Sequence, residues 1–310
     1  MIITVTPNTA LDRVIFINKF DRGNPVRTTR WKDSLGGKGL DSSVALSGLE
    51  VPNIAMGFLA GNIGRDIVRI MEAYGFNHDM VWINGESRLS HVIVETEDYA
   101  HTTILLGNNI ILPSQYQEFF RRFKANLPHA DYVITGGSLP TGFPEDFYLE
   151  LTEATHAGGK AILIDSRQDP LLRALPAKPD IIKMNNDEFT LTFNLASSSV
   201  MEIAISGRKV LEEHGLAAFV VTCGKEGILA ILKEHTYQAS APRQQAVNAA
   251  GAGDSVSAAL AWRLTVGDSW KNALLWSAAT SAASVLTEGT AEVRMADVQR
   301  LMPECVVKEL

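Results

Sequence analysis

The chain has 310 residues, 46% of them hydrophobic and 20% charged, the balance of a globular protein with enough apolar material for a substantial core. A formal net charge of −7 argues against a generally basic, nucleic-acid-binding surface, while leaving room for a local basic pocket. The two cysteines, Cys223 and Cys305, lie far apart, and the seven histidines show no paired spacing, so neither a disulfide framework nor a metal signature is present.

No run of about 18 apolar residues predicts a membrane span. The opening Met1–Val5 is β-like without a basic leader, and a cytoplasmic location is the expectation. Ile2–Val5 reads as a buried strand ending at Thr6-Pro7-Asn8, followed by a β-like run over Val14–Ile17, a turn over Asp21–Pro25 and a further strand over Thr28–Trp31. After Leu35-Gly36-Gly37-Lys38-Gly39-Leu40-Asp41 a helix is expected, with Val44, Ala45, Leu46 and Leu49 as its apolar residues. Ile54–Phe58 is strand-like. Ile67, Ile70, Met71 and Tyr74 share one helical face that Gly75 terminates, and Val81–Ile83 is a short strand. Ser90–Thr96 and His101–Leu106 flank Glu97-Asp98-Tyr99-Ala100 as a hairpin. Ser114 with Gln117, and Ser199 with Glu202, have capping-box spacing.

The second half alternates. Strands are expected at Tyr132–Thr135, Ala161–Asp165, Ile181–Met184 and Phe219–Thr222, with helices near 145–157, 201–213, 255–266 and 271–286. Alternation of this kind predicts a mostly parallel sheet covered on both faces, with the ligand site beyond the carboxyl ends of its strands. That rule brings Asp165, Lys183–Glu188, Thr222–Gly224 and Gly251–Asp254 to one rim. The β segments at about 13–31 and 88–106 fall outside the alternation and read as a small lid sheet inserted into one core domain spanning 1–310.

The rim holds the most suggestive stretch, Asn248-Ala249-Ala250-Gly251-Ala252-Gly253-Asp254, directly before an apolar helix carrying Val256, Ala259, Leu260 and Leu264. Small residues let the backbone approach a ligand, and the N–H groups of Gly251, Ala252 and Gly253 with the helix dipole suit a phosphate or developing anion. A carboxylate beside an anion site has an obvious role in taking a proton from an attacking hydroxyl, although an Asp near a helix start is also favourable with the dipole alone. Walker A and an early Rossmann glycine motif are both absent.

Six segments in order carry a resemblance. They are Thr4–Arg13, Leu35–Leu40, Gly136-Gly137-Ser138-Leu139-Pro140-Thr141-Gly142, Lys183-Met184-Asn185-Asn186-Asp187-Glu188, and Val221–Gly227 followed by Ala250–Ser255. Together the chain resembles the ribokinase-like (PfkB) carbohydrate kinases, in the branch of 1-phosphofructokinase and tagatose-6-phosphate kinase. The resemblance implies a three-layer α/β/α core with a small β-sheet lid, ATP and Mg²⁺ as cofactors, and a homodimer formed through the lid sheet. It makes Asp254 the base and Gly251, Ala252 and Gly253 the holders of the transferring phosphoryl group. One donor of that kind contributes ~3 kcal/mol to a transition state. Asn185 and Glu188 would help hold Mg²⁺, Lys183 would meet ATP phosphates, and Thr222, Gly224, Gly227 and Asn248 would line the nucleotide. On the sugar side Asp12 and Gly37 would bind the ring, and Arg27, Lys38 and Arg88 would contact a phosphate already present.

Departures from the pattern concern the substrate end. Asp41 stands where the family usually has Asn, and an ionised Asp cannot donate a hydrogen bond and repels a nearby phosphate. Thr102–Asn108 replaces polar lid residues with Ile104, Leu105 and Leu106, while Met184 and Ala250 are packing changes. The leading expectation is an ATP-dependent kinase of a sugar phosphate. Asp41 keeps open a kinase of a free sugar or nucleoside, and the altered lid keeps open a non-catalytic sugar- or nucleotide-binding regulator.

Overall fold

The computed structural model describes residues 1–97, 100–107, 109–195 and 199–310. Asp98 and Tyr99 of the expected hairpin turn and Asn108 of the altered lid stretch lie outside the described residues. In chain order the first half comprises β1 (Ile2–Thr6), β2 (Ala10–Ile17), β3 (Trp31–Gly36), α1 (Lys38–Gly48), β4 (Asn53–Leu59), α2 (Gly61–Tyr74), β5 (Asn77–Trp82), β6 (Arg88–Glu95), β7 (His101–Leu105) and α3 (Pro113–Asn126). Then follow β8 (Tyr132–Gly136), α4 (Phe147–Ala157), β9 (Ala161–Asp165), α5 (Gln168–Ala174), β10 (Ile181–Asn185), α6 (Asn186–Thr192) and α7 (Val200–His214). The chain continues through β11 (Ala218–Thr222), β12 (Ile228–Leu232), β13 (Thr236–Ser240), α8 (Ala252–Thr265), α9 (Trp270–Ser284), α10 (Met295–Leu301) and β14 (Val306–Glu309).

A ten-stranded sheet runs in the order β14-β13-β12-β11-β10-β9-β8-β1-β4-β5. Its pairs from β11 to β5 are all parallel, whereas β12, β13 and β14 add an antiparallel edge. The sheet is therefore mostly parallel, and the antiparallel edge was not expected. Ile-Leu-Ala-Ile-Leu over 228–232 is a continuous apolar run after Gly227, a buried-strand signal that the sequence does carry.

Two-residue periodicity explains the layers. Ile3, Val133, Ile162, Ile164, Ile182, Phe219 and Val221 face one core with Phe119, Phe123, Phe147 and Leu211 from α3, α4 and α7. The intervening Ile2, Ile134, Leu163, Ile181 and Val220 face the other, with Leu46, Val256, Leu260, Leu274 and Val298 from α1, α8, α9 and α10. Both faces being covered is what makes these central strands apolar throughout.

The second sheet has the order β3-β2-β6-β7. Its first strand differs from the expected Thr28–Trp31. β3 starts at Trp31 and runs to Gly36, pairing Ala10 with Gly36 and Asp12 with Ser34, so the strand pairs extend this lid segment to Ala10 at one end and Gly36 at the other. Buried Val14, Phe16, Val92 and Val94 pack the lid against Val247 and Ala250, just ahead of the phosphate-loop candidate. β7 is exposed along its whole length.

Helix starts divide. Ser199 caps α7, accepting a hydrogen bond from the Glu202 N–H at 3.4 Å. The expected Ser114/Gln117 box does not form. Pro113 fixes the first helical position two residues earlier, and Gln115 Oε1 accepts from the Leu112 N–H at 2.8 Å.

Candidate functional site

The carboxyl ends of β9, β10 and β11 and the start of α8 meet at one rim. Asp165 closes β9 and is 1% exposed. Its Oδ1 accepts from Lys38 Nζ and its Oδ2 from Lys183 Nζ, each at 2.5 Å. Lys38 also reaches Glu188 at 3.2 Å. Burial would raise the Asp165 carboxyl, but Lys183 and Lys38 hold it below the usual carboxylate range. Burial likewise works against a charged Lys38, yet Asp165, Glu188 and Asp254 raise its pKa above the lysine range. The sequence placed Asp165 on the rim but not among the functional residues. Its role as the shared anchor of two lysines has no signature in a single sequence.

Asp254 lies in the first turn of α8 and is half-buried, and its backbone carbonyl accepts from Ser42 Oγ on α1 at 3.2 Å. Burial pushes its carboxyl up to about 7, with Asp165 and Glu188 adding to the rise and Lys183 and Lys38 opposing it. A carboxyl poised there can take a proton at neutral pH. Gly251 caps α8 in the left-handed region, φ 78°, and a Cβ on it would strike Ala291. A Cβ on Gly253 would come 2.8 Å from Lys183 Nζ, so this loop lies directly over the lysine. Of the three loop amides, that of Ala252 already donates to Ala249 O at 3.3 Å.

Asn185 and Glu188 form a reciprocal cap on α6. The Glu188 N–H donates to Asn185 Oδ1 at 2.8 Å, and the Asn185 N–H donates to Glu188 Oε2 at 3.0 Å. Among the described residues no group of three or more His, Cys, Asp or Glu side chains forms a ready metal cage. The donors present, Glu188 with Asp165 and Asp254 near Lys38, fit an ion such as Mg²⁺ that keeps its waters and shares phosphate oxygens.

Beside this rim lies a cavity of about 650 Å³ lined by Asn185, Thr222, Gly224, Gly227, Ala252 and Gly253. Its other wall comes from Ile228 and Ala239 on the unexpected antiparallel edge and from Ala278 and Ala282 on α9, a helix expected from the sequence but not as part of a site. Asn248 is not on this wall. It is fully buried, its Nδ2 donating to Glu288 O at 3.1 Å and its Oδ1 accepting from the Ala250 N–H at 3.0 Å. A larger groove of about 1090 Å³ between α3 and α4 is remote from all of these residues.

On the lid side, Asp12 faces Ser34 on β3 and Ser90 on β6. Burial raises its carboxyl to about 6 against the lowering effects of Ser90 and Arg88. Asp41 is 5% exposed, and its Oδ1 is buried with no hydrogen-bond partner among the described residues. Burial, then Asp254 and Asp12, push its carboxyl well above the ordinary range. Arg88 Nη2 donates to Asn8 O at 3.0 Å, while its Nε is buried without a partner among the described residues. Arg27 is exposed on the loop between β2 and β3, with no hydrogen bond or ion pair to the rim among the described residues. Gly37 takes φ 105° with Thr6 where a side chain would go, and Gly36 leaves room for the Asp12 carboxylate. The structure thus gathers Asp12, Gly37, Lys38, Asp41 and Arg88, and leaves Arg27 apart.

The description "pfkB family carbohydrate kinase" matches residues 5–296 of the chain. The chain is 29% identical to 1-phosphofructokinase of Bacillus subtilis over 314 residues, covering 100% of both proteins. It is 29% identical to D-tagatose-1-phosphate kinase of Bacillus licheniformis over 300 residues, 96% of each. Phosphofructokinase-2 from Escherichia coli in complex with fructose-6-phosphate superposes with a TM-score of 0.85 at 19% identity, over 97% of this chain and 98% of that one, which establishes the shared fold.

Proposed function

The chain belongs to the pfkB family of carbohydrate kinases, and from that premise we propose that it transfers the γ-phosphoryl group of ATP to a hydroxyl of a sugar phosphate, with Asp254 as general base. The observation that carries this reading is the half-buried Asp254 in the first turn of α8, one residue beyond a glycine that lies over Lys183. The neighbouring 650 Å³ cavity is of a size for the nucleotide. Asp254 takes the hydroxyl proton as the oxygen attacks the γ-phosphorus. The amides of Gly251 and Gly253 face the charge that grows on the phosphoryl oxygens. Lys183 and Lys38, held by Asp165, present fixed positive charge to the phosphates. Glu188 would hold Mg²⁺, directly or through water, and the ion would supply charge neutralisation between the phosphate groups. The lid sheet, seated on Val247 and Ala250, excludes water and so protects ATP from hydrolysis.

The names of the two Bacillus relatives point to a ketohexose 1-phosphate as acceptor. Arg88, whose Nε has no partner among the described residues, is the cation best placed for that phosphate. A second reading, phosphorylation of an uncharged sugar or nucleoside, draws on the buried Asp41 carboxyl, whose Oδ1 has no partner among the described residues and is free to meet a hydroxyl. An ADP-coupled assay decides between them with fructose 1-phosphate, tagatose 1-phosphate, fructose 6-phosphate, tagatose 6-phosphate, the free sugars and nucleosides. Turnover confined to uncharged acceptors selects the second reading, and saturable binding without turnover on any acceptor rejects catalysis altogether. The exposed β7 edge, with Leu105 68% exposed, also supports a homodimer built by lid-to-lid pairing.

A further inference from the structure

The strand that carries the sugar side is tied through the protein interior to the loop that would hold the γ-phosphoryl group. Ser34 on β3 lies opposite Asp12 and is fully buried. Its Oγ accepts from the Thr290 N–H at 3.0 Å, a contact between residues 256 apart in sequence. The next residue, Ala291, donates its N–H to Ala250 O at 3.2 Å and occupies the space where Gly251 would otherwise carry a side chain. Ala291 takes φ 53°, a left-handed conformation that a non-glycine residue adopts only when its surroundings impose it. From the other side, Asn248 accepts from the Ala250 N–H and donates to Glu288 O, closing a ring of hydrogen bonds around Ala250. Two ion pairs flank the Ser34 link, Arg30 with Glu288 at 2.6 Å and Lys32 with Glu292 at 2.6 Å. These side chains are part-exposed and contribute little by themselves. The buried hydroxyl is the link whose loss strands an amide without an acceptor.

We propose that Ser34 is a positioning residue for phosphoryl transfer: by holding the 290–291 strap, it fixes Ala250 and Gly251 in the geometry that receives the γ-phosphoryl group. This rests on the reading of Gly251–Asp254 as the phosphoryl loop, and it adds that the loop is shaped from the lid strand rather than by α8 alone. Asp12 on β2, paired with Ser34 on β3, is then mechanically continuous with the loop that would meet the nucleotide.

The test separates the γ-phosphate from the rest of the nucleotide. Binding of AMP-PNP and of ADP, each with Mg²⁺, is measured by calorimetry for the unaltered protein, Ser34→Ala and Ser34→Thr, with thermal melts as a check on folding. Ser34→Ala is expected to weaken AMP-PNP about fivefold to tenfold while leaving ADP within about twofold, the loss of one buried hydrogen bond being read only where the loop is used. Ser34→Thr keeps the hydroxyl and is expected to restore AMP-PNP binding. Equal weakening of both nucleotides, weakening of neither, or a failed rescue by Thr in a folded variant overturns the proposal. If the unaltered protein binds neither nucleotide, the kinase reading itself falls and the proposal with it. If it binds both and only the Ser34 variants are silent, the kinase reading stands and the positioning role is rejected.

Discussion

The phosphoryl rim and the lid solve opposite problems. At the rim, charged groups are withdrawn from water and compensate one another: Asp165 is 1% exposed and Lys183 3%, in direct contact. At the lid, charge pairs such as Arg30 with Glu288 stay near solvent, and the outer strand β7 exposes apolar residues. The rim is built on the ends of central parallel strands that cannot move without disturbing both cores. The lid is held by Val14, Phe16, Val92 and Val94 against Val247 and Ala250, by Leu11 and Leu35 packed with α1 and α2, and by threads to the 287–292 loop. On the proposed reading, chemistry sits on the ends of the central strands and substrate choice on the lid.

The contrast breaks most sharply at Asp254. Asp254→Asn is expected to lower kcat by about 10³-fold, within the range that loss of a general base produces, while AMP-PNP affinity stays near that of the unaltered protein. Near-normal turnover in the coupled assay would remove Asp254 from the mechanism. The next effect is on stability. Lys183→Met leaves Asp165 with one cation in place of two, and a loss of about 3 kcal/mol is expected in urea unfolding. Arg30→Ala, which removes a part-exposed pair of similar length, is expected to cost less than about 1 kcal/mol. Equal costs would mean that burial does not distinguish the two regions.

The pH response sharpens the same point. Because the base must be ionised, kcat/KM is expected to rise about tenfold per pH unit below an apparent pKa of about 7 and to level off above it. The raised pKa also bears on folding, with the opposite sign. A carboxyl whose folded pKa lies above its unfolded value binds protons more tightly when folded. It therefore contributes stability that is complete at pH values below the unfolded carboxylate pKa and is lost as pH rises through about 7. Urea midpoints of Asp254→Asn should fall less than those of the unaltered protein over that window. The smallest effect is expected at the lid edge. Leu105→Lys should change monomer stability by less than about 0.5 kcal/mol, yet shift light-scattering mass towards the monomer if β7 is the self-association edge.

The central alternation was legible because seven parallel strands need apolar residues on both faces, and Tyr132–Thr135, Ala161–Asp165 and Ile181–Met184 display that directly. Asp254 was legible because a helix start after small residues has few structural options. The bounds of β3 were obscured because Ser34-Leu35-Gly36 reads as a loop until Asp12 and Ala10 pair with it. Asn248 was expected at the nucleotide from its place beside the glycine loop, and its side chain is engaged with Glu288 O and the Ala250 N–H, a pairing no local pattern displays. Arg27 looked like a phosphate contact because arginine forks suit one, but nothing local told the loop to point it at the rim. The Asp165 pairing with both Lys38 and Lys183 joins three segments of the chain, which no local pattern can encode.

The distance in sequence between the joined parts has a consequence for how the protein is made. Ser42 meets Asp254 across 212 residues, and Lys32 meets Glu292 across 260. Loop closure over such separations is slow relative to local helix formation, so the site is among the last features to assemble. A chain still emerging from the ribosome can settle β1, α1 and β4 while lacking every residue of the phosphoryl loop. Activity in refolding experiments should accordingly lag behind the recovery of helical signal, and ligands that touch both ends of the chain should shorten that lag.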